Sequence, residues 1–453
     1  MSFLFLPTPL NNIAQTGMLE KRFHQALTIR PGYRALARRY DVPGRIGGSH
    51  TFTKMGRLTP STTALSGSTR QADFFNGMTA ISGADEQYTV TLDEYAQFTQ
   101  LNLSGNEITI ADQFVENAYL IGEVGSHSLE WLGRNTIFNN YMGGDTRVIN
   151  ISSGPTTTTC QLDDIRGFQQ ALLNGTMTAV SSGNTLTAAE TGTTPQTLTI
   201  TGVVADPTNV SSAAVTGGIS GVITFSTASA PTVGDRILAS TASIIVRPNG
   251  KSTTKQLVGS DGVKLQNFLD AKKVLRKNNI RPLANGRYRV VLDDDGMNQL
   301  LADPRFQLQT QGRFDSRAIQ EGEIPVVYGM EFYTTTEAFI QLKNSAPNSG
   351  DNVPTEIHRA IVVGDGGLIQ GNFEELAATA ARQSNDITDA RMVGDLMMVT
   401  RRPIDVLGEN ITQAYKWIGG FYCPSDATTT SAQTPTAYPS NFKRIVTVEY
   451  GVG

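Results

Sequence analysis

Gly250, Lys251 and Ser252 match the end of a phosphate-binding loop, in which backbone amides wrap the phosphates and a Lys side chain reaches them. That loop needs a first glycine at position 245, which is Ile in this chain. It also needs a helix after the serine, and KSTTKQLVGSDG is a poor helix start. The stretch therefore predicts a glycine turn with a polar tip.

The segment VVGDGGLIQG, at 362–371, loosely resembles a dinucleotide-binding loop. Gly364, Gly366 and Gly371 do not have the G-x-G-x-x-G spacing, because position 369 is Ile, and no strand-helix-strand unit surrounds them. We expect a tight turn between two strands here.

Asp293, Asp294 and Asp295 form a run of carboxylates directly before Gly296. Carboxylate oxygens are ligands for divalent ions. However, adjacent side chains point in different directions, and an Asp-Gly turn at the end of a strand explains the run more simply.

The histidine, cysteine and serine patterns give no catalytic signature. There is no H-x-x-x-H or H-E-x-x-H pair and no G-x-S-x-G nucleophile elbow. Two distant cysteines are too few for a zinc site or a disulfide framework, and they predict free thiols in a reducing compartment. We therefore expect no enzyme, no metal and no cofactor. The residues concerned are His24, His50, His127, His358, Cys160 and Cys423.

Length and composition indicate a folded protein of two or three domains. The chain has 453 residues, of which 17% are charged, and its formal net charge is −4. A protein whose main role is to coat nucleic acid needs a strong basic excess, which is absent. No apolar run reaches the length of about 18 residues that a membrane span requires, and the N-terminal sequence MSFLFLPTPL lacks the basic start of a secretion signal.

Residues 10–40 are predicted to form a broken helical arm. Leu19 and Phe23 fall at helical spacing, and Pro31 with Gly32 interrupts the helix before a second short one. Basic residues gather around this break, where they form either a solvated polar face or a surface for a polyanion or an acidic partner. These residues are Lys21, Arg22, Arg30, Arg34, Arg38 and Arg39.

Two predicted strands follow, in RIGGSHTFTKMGRL and in EQYTVTLDEYAQFTQLNL, on either side of a turn-rich polar link. This pattern predicts an extended hairpin. An isolated two-stranded hairpin is marginally stable in water. The hairpin therefore implies a partner surface.

The clearest helix is predicted over 109–142. Thr109 and Asp112 fit a capping pattern at its start, and Gly143 is a stop signal. Three internal glycines each cost the helix about 1 kcal/mol relative to alanine. That cost is tolerable if the helix packs on a large element. The glycines are Gly122, Gly125 and Gly133.

From about Gly167 to Lys255 the sequence is poor in charge and rich in Thr, Ser, Gly, Ala and Val, with alternating segments such as TPQTLTITGVV. This predicts a small all-β module inserted into a mixed chain. After it we expect a helix from about Asp261 to Asn278, a strand, turn and helix in GRYRVVLDDDGMNQLLADPRF, and a closing strand in RIVTVEYGVG.

The order of these elements resembles the major capsid protein of tailed bacteriophages, whose fold is shared with the floor of the herpesvirus capsid. YTVTLDEYAQFTQLN is similar to the strand that leaves the extended loop in that family, and DAKKVLRKNNIRPLANGRYRVVLDDDGMNQLLADPRF resembles its helix, strand and L-x-x-D-P passage. The resemblance covers about 10–165 and 258–453 and leaves out the β-rich island. A further passage, G-x-I-x-x-x-x-G-x-x-F-x-x-T, is matched by Gly322, Ile324, Gly329, Phe332 and Thr335.

The resemblance implies an α+β fold, the tailed-phage major capsid protein fold, with an inserted all-β domain. Its parts would be an N-terminal arm at 1–45, an extended loop at 46–87, a peripheral domain at 88–165 with a spine helix at 109–142, an inserted β-rich domain at 166–257, an axial domain at 258–380, and a return to the peripheral domain at 381–453.

The function that the resemblance implies is that of a structural subunit of an icosahedral capsid enclosing double-stranded DNA. Copies would form hexamers and pentamers in the virion capsid, assembled in the host cytoplasm. Further implied partners are a scaffolding protein, a portal, a decoration protein and packaged DNA bound without sequence specificity, with no membrane. The basic arm residues would face DNA or a scaffold. Lys54, Arg57 and Arg70 would contact a neighbouring subunit through the extended loop.

Two other interpretations stay open at this point. A tail-tube or surface-layer subunit would also self-assemble, but it would be dominated by strands and would lack the long helix. An enzyme with a β-rich insertion would be a monomer with a deep, charged cleft.

Overall fold

The structure is a computed structural model of the whole chain. The residues that it describes are 21–26, 32–44, 47–55, 85–102, 110–138, 143–151, 157–173, 176–191, 196–214, 217–229, 231–240, 244–251, 257–277, 280–311, 326–342, 356–383, 388–401, 410–424 and 444–453.

Helices and strands are both abundant, which confirms the predicted α+β class. No described helix is both long and apolar enough to cross a membrane. The helices are α1 (Ile110–Ile137), α2 (Leu265–Lys277), α3 (Asp294–Ala302), α4 (Pro304–Gln311) and α5 (Leu376–Gln383), with 3₁₀ turns at Arg34–Leu36 and Pro248–Gly250.

The strands are β1 (Ala37–Val42), β2 (Ser49–Met55), β3 (Asp85–Thr91), β4 (Asp93–Asn102), β5 (Asp145–Ile151), β6 (Thr157–Leu162), β7 (Gln170–Leu173), β8 (Thr176–Ala179), β9 (Leu186–Thr191), β10 (Gln196–Ala205), β11 (Gly221–Ser229), β12 (Arg236–Ala239), β13 (Ile244–Val246), β14 (Tyr288–Leu292), β15 (Met330–Thr334), β16 (Phe339–Leu342), β17 (Glu356–Val363), β18 (Leu368–Phe373), β19 (Thr388–Val393), β20 (Leu396–Arg401), β21 (Asn410–Tyr422) and β22 (Ile445–Val452).

The chain folds into two compact units, each assembled from separate stretches of sequence. The first unit comprises Met1–His50, Thr89–Thr136 and Leu368–Tyr422, and the second comprises Thr51–Tyr88, Ile137–Gly367 and Cys423–Gly453.

A six-stranded sheet forms the centre of the first unit, in the order β1-β18-β21-β20-β19 with β4 also paired to β21. Along β21, Ile411, Gln413, Tyr415 and Trp417 alternate with less buried residues. Successive side chains of a strand point to opposite faces. One face of the sheet therefore packs on α1, while the other carries the smaller cluster around α5 that includes Leu376.

Helix α1 packs on this sheet at two of its glycines. An added Cβ atom at Gly125 would lie 2.7 Å from Leu396 Cδ1 and 3.2 Å from the Tyr415 ring. At Gly133 the nearest atom, Leu368 Cδ2, would be 3.5 Å away. The predicted packing of α1 on a large element is confirmed, and the missing side chain at Gly125 is what allows the close approach.

The arm of the first unit differs from the predicted pair of helices. Residues 21–26 are helical, but after the short turn at Arg34–Leu36 the chain continues as β1, parallel to β18. The prediction of a second helix was wrong, because pairing with β18 outweighs the local helical pattern of these residues. As a strand, β1 gains ladder hydrogen bonds at the sheet edge and buries Val42. Phe23 and Tyr33 are also buried in this unit.

The second unit contains a six-stranded sheet in the order β13-β22-β17-β14-β15, with β16 also paired to β17. Helices α2, α3 and α4 supply Phe268, Leu300 and Phe306 to the core on one face. The residues of β22 are buried at nearly every position. The block 381–453 is therefore divided, because β22 lies in this sheet and not with β19, β20 and β21.

The predicted all-β island is a closed barrel, in the order β10-β11-β6-β5-β12-β9. Its interior is filled by side chains that include Leu162, Phe168 and Ile223, as in other small barrels. The predicted boundary was too late, because β5 and β6 belong to the barrel although they precede position 166. Both strands are needed to close it.

Strands β2 and β3 form a two-stranded sheet of their own. Among the described strands, they pair only with each other. The tip of the predicted extended loop, residues 56–84, lies outside the described part of the chain.

Gly125 and Gly133 of α1 predict opposite effects of the same substitution to alanine. Gly133→Ala should leave stability unchanged or raise it by up to about 1 kcal/mol, because alanine favours helix and the added methyl group meets only ordinary contacts. Gly125→Ala should lower stability by about 1–3 kcal/mol, because the methyl group overpacks the interface with Leu396. Thermal unfolding of both variants measures this. Equal or higher stability of Gly125→Ala would contradict the packing described here.

Candidate functional site

A chain of buried charged side chains joins the barrel to the sheet of the second unit. Arg247, just after β13, is central to it: its Nη2 donates to Asp145 Oδ2 of the barrel at 2.9 Å, and its Nε donates to Glu449 Oε2 of β22 at 2.8 Å. All three side chains are at most 4% exposed. A guanidinium buried between two carboxylates is compensated on both sides.

The barrel end of this chain is a bidentate pair. Arg236 of β12 donates to both carboxylate oxygens of Asp145, at 2.5 and 2.6 Å. Burial alone would lower the pKa of Arg236, but hydrogen bonding to Asp145 outweighs it and raises the pKa. The Asp145 carboxylate therefore accepts hydrogen bonds from two arginines, one in the barrel and one just after β13.

The other end of the chain returns to the barrel through β17 and β16. Arg359 donates to Glu449 Oε1 at 2.8 Å and to Gln341 Oε1 at 2.7 Å. The Gln341 amide nitrogen donates to Asp163 Oδ2 at 2.9 Å, and Asp163 also accepts hydrogen bonds from Ser212. The barrel is thus held to the sheet at two points, both of them polar.

Sequence reasoning missed this network entirely. Its members lie between positions 145 and 449 and form no spaced motif. The available signal was weak: Arg359 and Glu449 each interrupt an apolar run, in EIHRAIVV and in IVTVEYGV. A lone charge in the middle of an apolar strand indicates a buried partner, but only the pairing of β17 with β22 identifies it.

A second buried polar cluster lies on the helix-bearing face of the same sheet. Asp293 caps the N-terminus of α3 and accepts hydrogen bonds from the Gly296 amide, the Tyr450 hydroxyl and His358 Nδ1. Burial works against the charged form of Asp293, but His358 and Tyr450 outweigh it and lower its pKa. Burial also works against the charged form of His358, whereas Asp293 and then Glu356 raise its pKa. The pair is therefore held in its charged form.

The predicted carboxylate run contributes to a group that could hold a cation. Ligand atoms of Asp293, Asp295 and His358 lie within 4.8 Å of one another. The buried atoms of this group already have protein partners, and His358 Nε2 lies 3.3 Å from Glu356 Oε2. The geometry is that of a buried ion pair at a helix cap, and Asp294 takes no part in the group.

Both cysteines are buried thiols. Burial, with a smaller effect of Glu190, raises the pKa of Cys160 to about 12, and burial raises the pKa of Cys423 well above its usual range. The thiolate is the reactive form of cysteine. These two thiols are therefore unsuited to nucleophilic chemistry.

The two glycine-rich segments are turns, as predicted. Asn249 and Gly250 have positive φ values of 53° and 68°, and the Asn249 amide donates to Asp261 at 2.7 Å. Gly366, with a φ of 71°, turns the chain between the end of β17 and the start of β18. The segment 362–371 leads into β18 and not into a helix, which a dinucleotide-binding loop requires.

The structure separates the predicted basic residues of the arm into two kinds. Lys21 and Arg22 lie exposed on the helical turn 21–26, and Arg38 and Arg39 lie exposed on β1. Arg39 is 3.0 Å from Asp395, and Arg38 stacks over Tyr40.

Arg34 differs from these because it is largely buried. It pairs with Asp395, and burial lowers its pKa. The Glu130 carboxylate of α1 accepts the backbone amides of Tyr33 and Arg34, although burial raises the pKa of Glu130. Arg34 therefore serves the folding of its own unit. Arg30 lies outside the described residues.

The predicted loop residues are only partly placed. Lys54 lies in β2, whereas Arg57 and Arg70 fall within 56–84, outside the described residues. Their contact with a neighbouring subunit stays a prediction.

Removing one charge from the buried network should lower the free energy of unfolding far more than removing a surface charge. Glu449→Gln keeps the shape of the side chain but leaves two buried guanidinium groups without a shared carboxylate, so we expect the free energy of unfolding to fall by about 3–5 kcal/mol. The control is Glu331→Gln in β15, which faces the more exposed Arg287 and should cost less than about 1 kcal/mol. Denaturant unfolding compares the two, and equal losses would show that the network adds nothing.

No protein-family model matches the sequence, and no curated protein matches it. Among solved structures, the chain is similar to the capsid of Ralstonia phage GP4, with 10% identity and a TM-score of 0.47 over 92% of this chain and 87% of that one. The Cyanophage Pam1 capsid has 10% identity and a TM-score of 0.47, over 94% and 93%. The capsid of Helicobacter pylori bacteriophage KHP30 has 9% identity and a TM-score of 0.44, over 92% and 88%.

Proposed function

We propose that the chain is a structural subunit that self-assembles into the icosahedral capsid of a phage. The carrying observation is the β2–β3 hairpin, a two-stranded sheet separate from both six-stranded sheets and from the barrel. In β2, Ser49, Thr51 and Thr53 are exposed, so the strand buries little on that face. Such a hairpin is marginally stable by itself, and a neighbouring copy of the chain supplies the surface that it lacks.

The order of elements supports the same proposal. The arm precedes the hairpin, and the 28-residue helix α1 follows it, in the order that the capsid resemblance implies. A tail-tube or surface-layer subunit is expected to lack such a helix. The buried polar groups support a structural role over an enzymatic one, because Asp293, His358 and Glu449 are engaged in holding the fold together.

The proposed assembly consists of hexamers and pentamers of this chain in a virion capsid, formed in the host cytoplasm. A scaffolding protein, a portal and a decoration protein are its proposed partners, together with packaged DNA bound without sequence specificity. Lys54, Arg57 and Arg70 are the proposed contacts of the extended loop with a neighbour. Contacts of this kind are individually modest, and the shell gains its stability from their number.

The barrel is proposed to stabilise its own subunit. It is joined to the central sheet by buried ion pairs, centred on Arg247, rather than by an exposed linker. We therefore expect the barrel and this sheet to behave as one rigid part of the subunit.

Shortening the hairpin should abolish shells without unfolding the subunit. We would replace 56–84 by Asn-Gly, the two-residue turn favoured in hairpins. Each 1.4 kcal/mol lost from a contact weakens that contact about tenfold, and the loss recurs at each subunit. Circular dichroism and thermal unfolding should match the wild-type protein, while electron microscopy should show shells for the wild type alone. Normal shells from the shortened protein would refute the proposal.

The exposed arm arginines test the DNA-facing role separately. Arg22→Glu with Arg38→Glu should leave shells intact but reduce nuclease-protected DNA in filled particles, because cations that neutralise phosphate are replaced by anions. Arg34 and Arg39 are left unchanged, because reversing either would place a second anion beside Asp395 and damage the fold. An unchanged amount of packaged DNA would remove the arm from this role.

A further inference from the structure

The C-terminal end of helix α2 carries a group of exposed basic side chains. Three of them lie at positions i, i+3 and i+4 of the helix, so they share one face. The fourth follows Ile280, whose amide donates to the Leu275 carbonyl at 3.0 Å, so this part of the chain returns to the last turn of the helix. We call the group the α2 basic patch. Its members are Lys273, Arg276, Lys277 and Arg281.

Acidic partners do not neutralise this patch within the described part of the chain. Its four side chains form no ion pair there. The acidic residue of α2, Asp270, accepts a hydrogen bond from Gln266 Nε2 at 3.2 Å. Five arginines elsewhere in the second unit, in contrast, each pair with a carboxylate. These are Arg147, Arg166, Arg236, Arg247 and Arg359.

The positive charge of the patch also acts on a neighbouring side chain. Lys272 precedes Lys273 on α2 and is partly exposed. Burial lowers the pKa of Lys272, and the nearby Arg276 guanidinium lowers it further. A second cation close to a lysine has this effect only where no anion compensates it. The end of α2 is therefore a region of positive potential.

The dipole of α2 accounts for only part of this charge. It favours basic residues in the last turn of a helix, where Arg276 and Lys277 lie. Lys273 lies one turn earlier, and Arg281 lies beyond the end of the helix. These two residues need another explanation.

The composition of the patch favours a phosphate backbone over a folded protein as its ligand. Protein interfaces are depleted of lysine and are centred on aromatic and other apolar side chains. In the last turns of α2, Val274 is half-buried and Leu275 is fully buried, so the exposed surface there is basic. Contact with nucleic acid that ignores sequence uses lysine and arginine side chains to neutralise phosphates.

We infer that the α2 basic patch binds the backbone phosphates of double-stranded DNA without sequence specificity. The patch is distinct from the basic arm residues, because it lies in the second unit and the arm lies in the first. Each cation that neutralises a phosphate releases a counterion, so binding weakens as the salt concentration rises. The inference rests on the proposed function, since DNA enclosed by the shell is the ligand.

The salt dependence of DNA binding tests the inference. The full-length protein is titrated into a fluorescently labelled duplex of about 30 base pairs, and anisotropy gives the association constant at about 50 and about 200 mM salt. Lys273→Gln with Lys277→Gln removes two cations, so the slope of log K against log salt should become less negative by about 1.8. The loss of affinity between the two salt concentrations should therefore be about 12-fold smaller than for the wild type.

The matched control is Lys264→Gln with Arg305→Gln. Both side chains are exposed, and the double substitution changes the net charge by the same amount. They lie at the N-terminal end of α2, since Lys264 directly precedes the helix and Arg305 Nη1 donates to Gln266 Oε1 at 2.8 Å. That end is about 18 Å from the patch along the helix axis. The control should keep the wild-type slope, and circular dichroism should be unchanged for both variants.

Two results would overturn the inference. One is a wild-type slope for Lys273→Gln with Lys277→Gln, or an equal change of slope in the control. The other uses poly-L-glutamate as the probe. If this polymer binds the wild type more tightly than the duplex does at physiological salt, and the patch variant loses that binding, the patch belongs to an acidic protein segment.

A second variant and electron microscopy complete the test. Arg276→Gln with Arg281→Gln removes the other two cations and should change the slope by the same amount, about 1.8. Wild-type shells together with DNA binding that ignores the patch would overturn this inference and leave the proposed function standing. Binding that depends on the patch, from a wild-type protein that forms no shells, would support the patch and overturn the proposed function.

Discussion

The second unit depends on one electrostatic constraint: the buried charges of Asp145, Arg247, Glu449 and Arg359 must all be present together. Each of these side chains is almost fully buried, and each is paired with an opposite charge. A buried pair contributes little net stability, but the loss of one partner leaves a charge that water cannot reach. The network therefore fixes how the barrel and the sheet fit together, and apolar packing on both sides of it supplies the driving force for folding.

In the first unit the main constraint is the close packing of helix α1 on the sheet. It lies on a sheet whose side chains, such as Leu396 and Tyr415, already fill the interface, so Gly125 must yield the space. Glycine lowers the intrinsic stability of the helix there. The burial of Ala118 and Leu129 compensates for this loss, because it removes apolar surface from water. The same orientation leaves Leu120 and Val124 exposed. Close packing on one face and exposed apolar side chains on the other are thus two consequences of one helix orientation.

In the proposed shell each subunit needs parts that are incomplete alone, and the β2–β3 hairpin is the part that we propose for this. Its base is fixed, because Val90 of β3 is buried and lies close to Gly371 of β18, whereas Ser49 and Thr53 of β2 are exposed. Area buried between subunits converts poorly to affinity, because ordering each partner costs free energy. A rigid subunit with a few reaching elements limits that cost. The polar cross-links of the barrel stabilise the rigid part, and the hairpin is the proposed reaching part.

The sequence by itself determined the features that depend on local pattern: the α+β class, the long helix around Ala118, the all-β module, and the turns at Gly250 and Gly366. Alternation, helical spacing and turn residues act over a few positions and can be read directly. Only the tertiary structure decided that residues 37–42 form a strand, that β22 joins β17, that the barrel begins at Asp145, and that Arg359 and Glu449 share a charge network. These outcomes depend on partners far away in the chain, and an edge strand or a buried charge is stabilised by that partner rather than by its own neighbours in sequence.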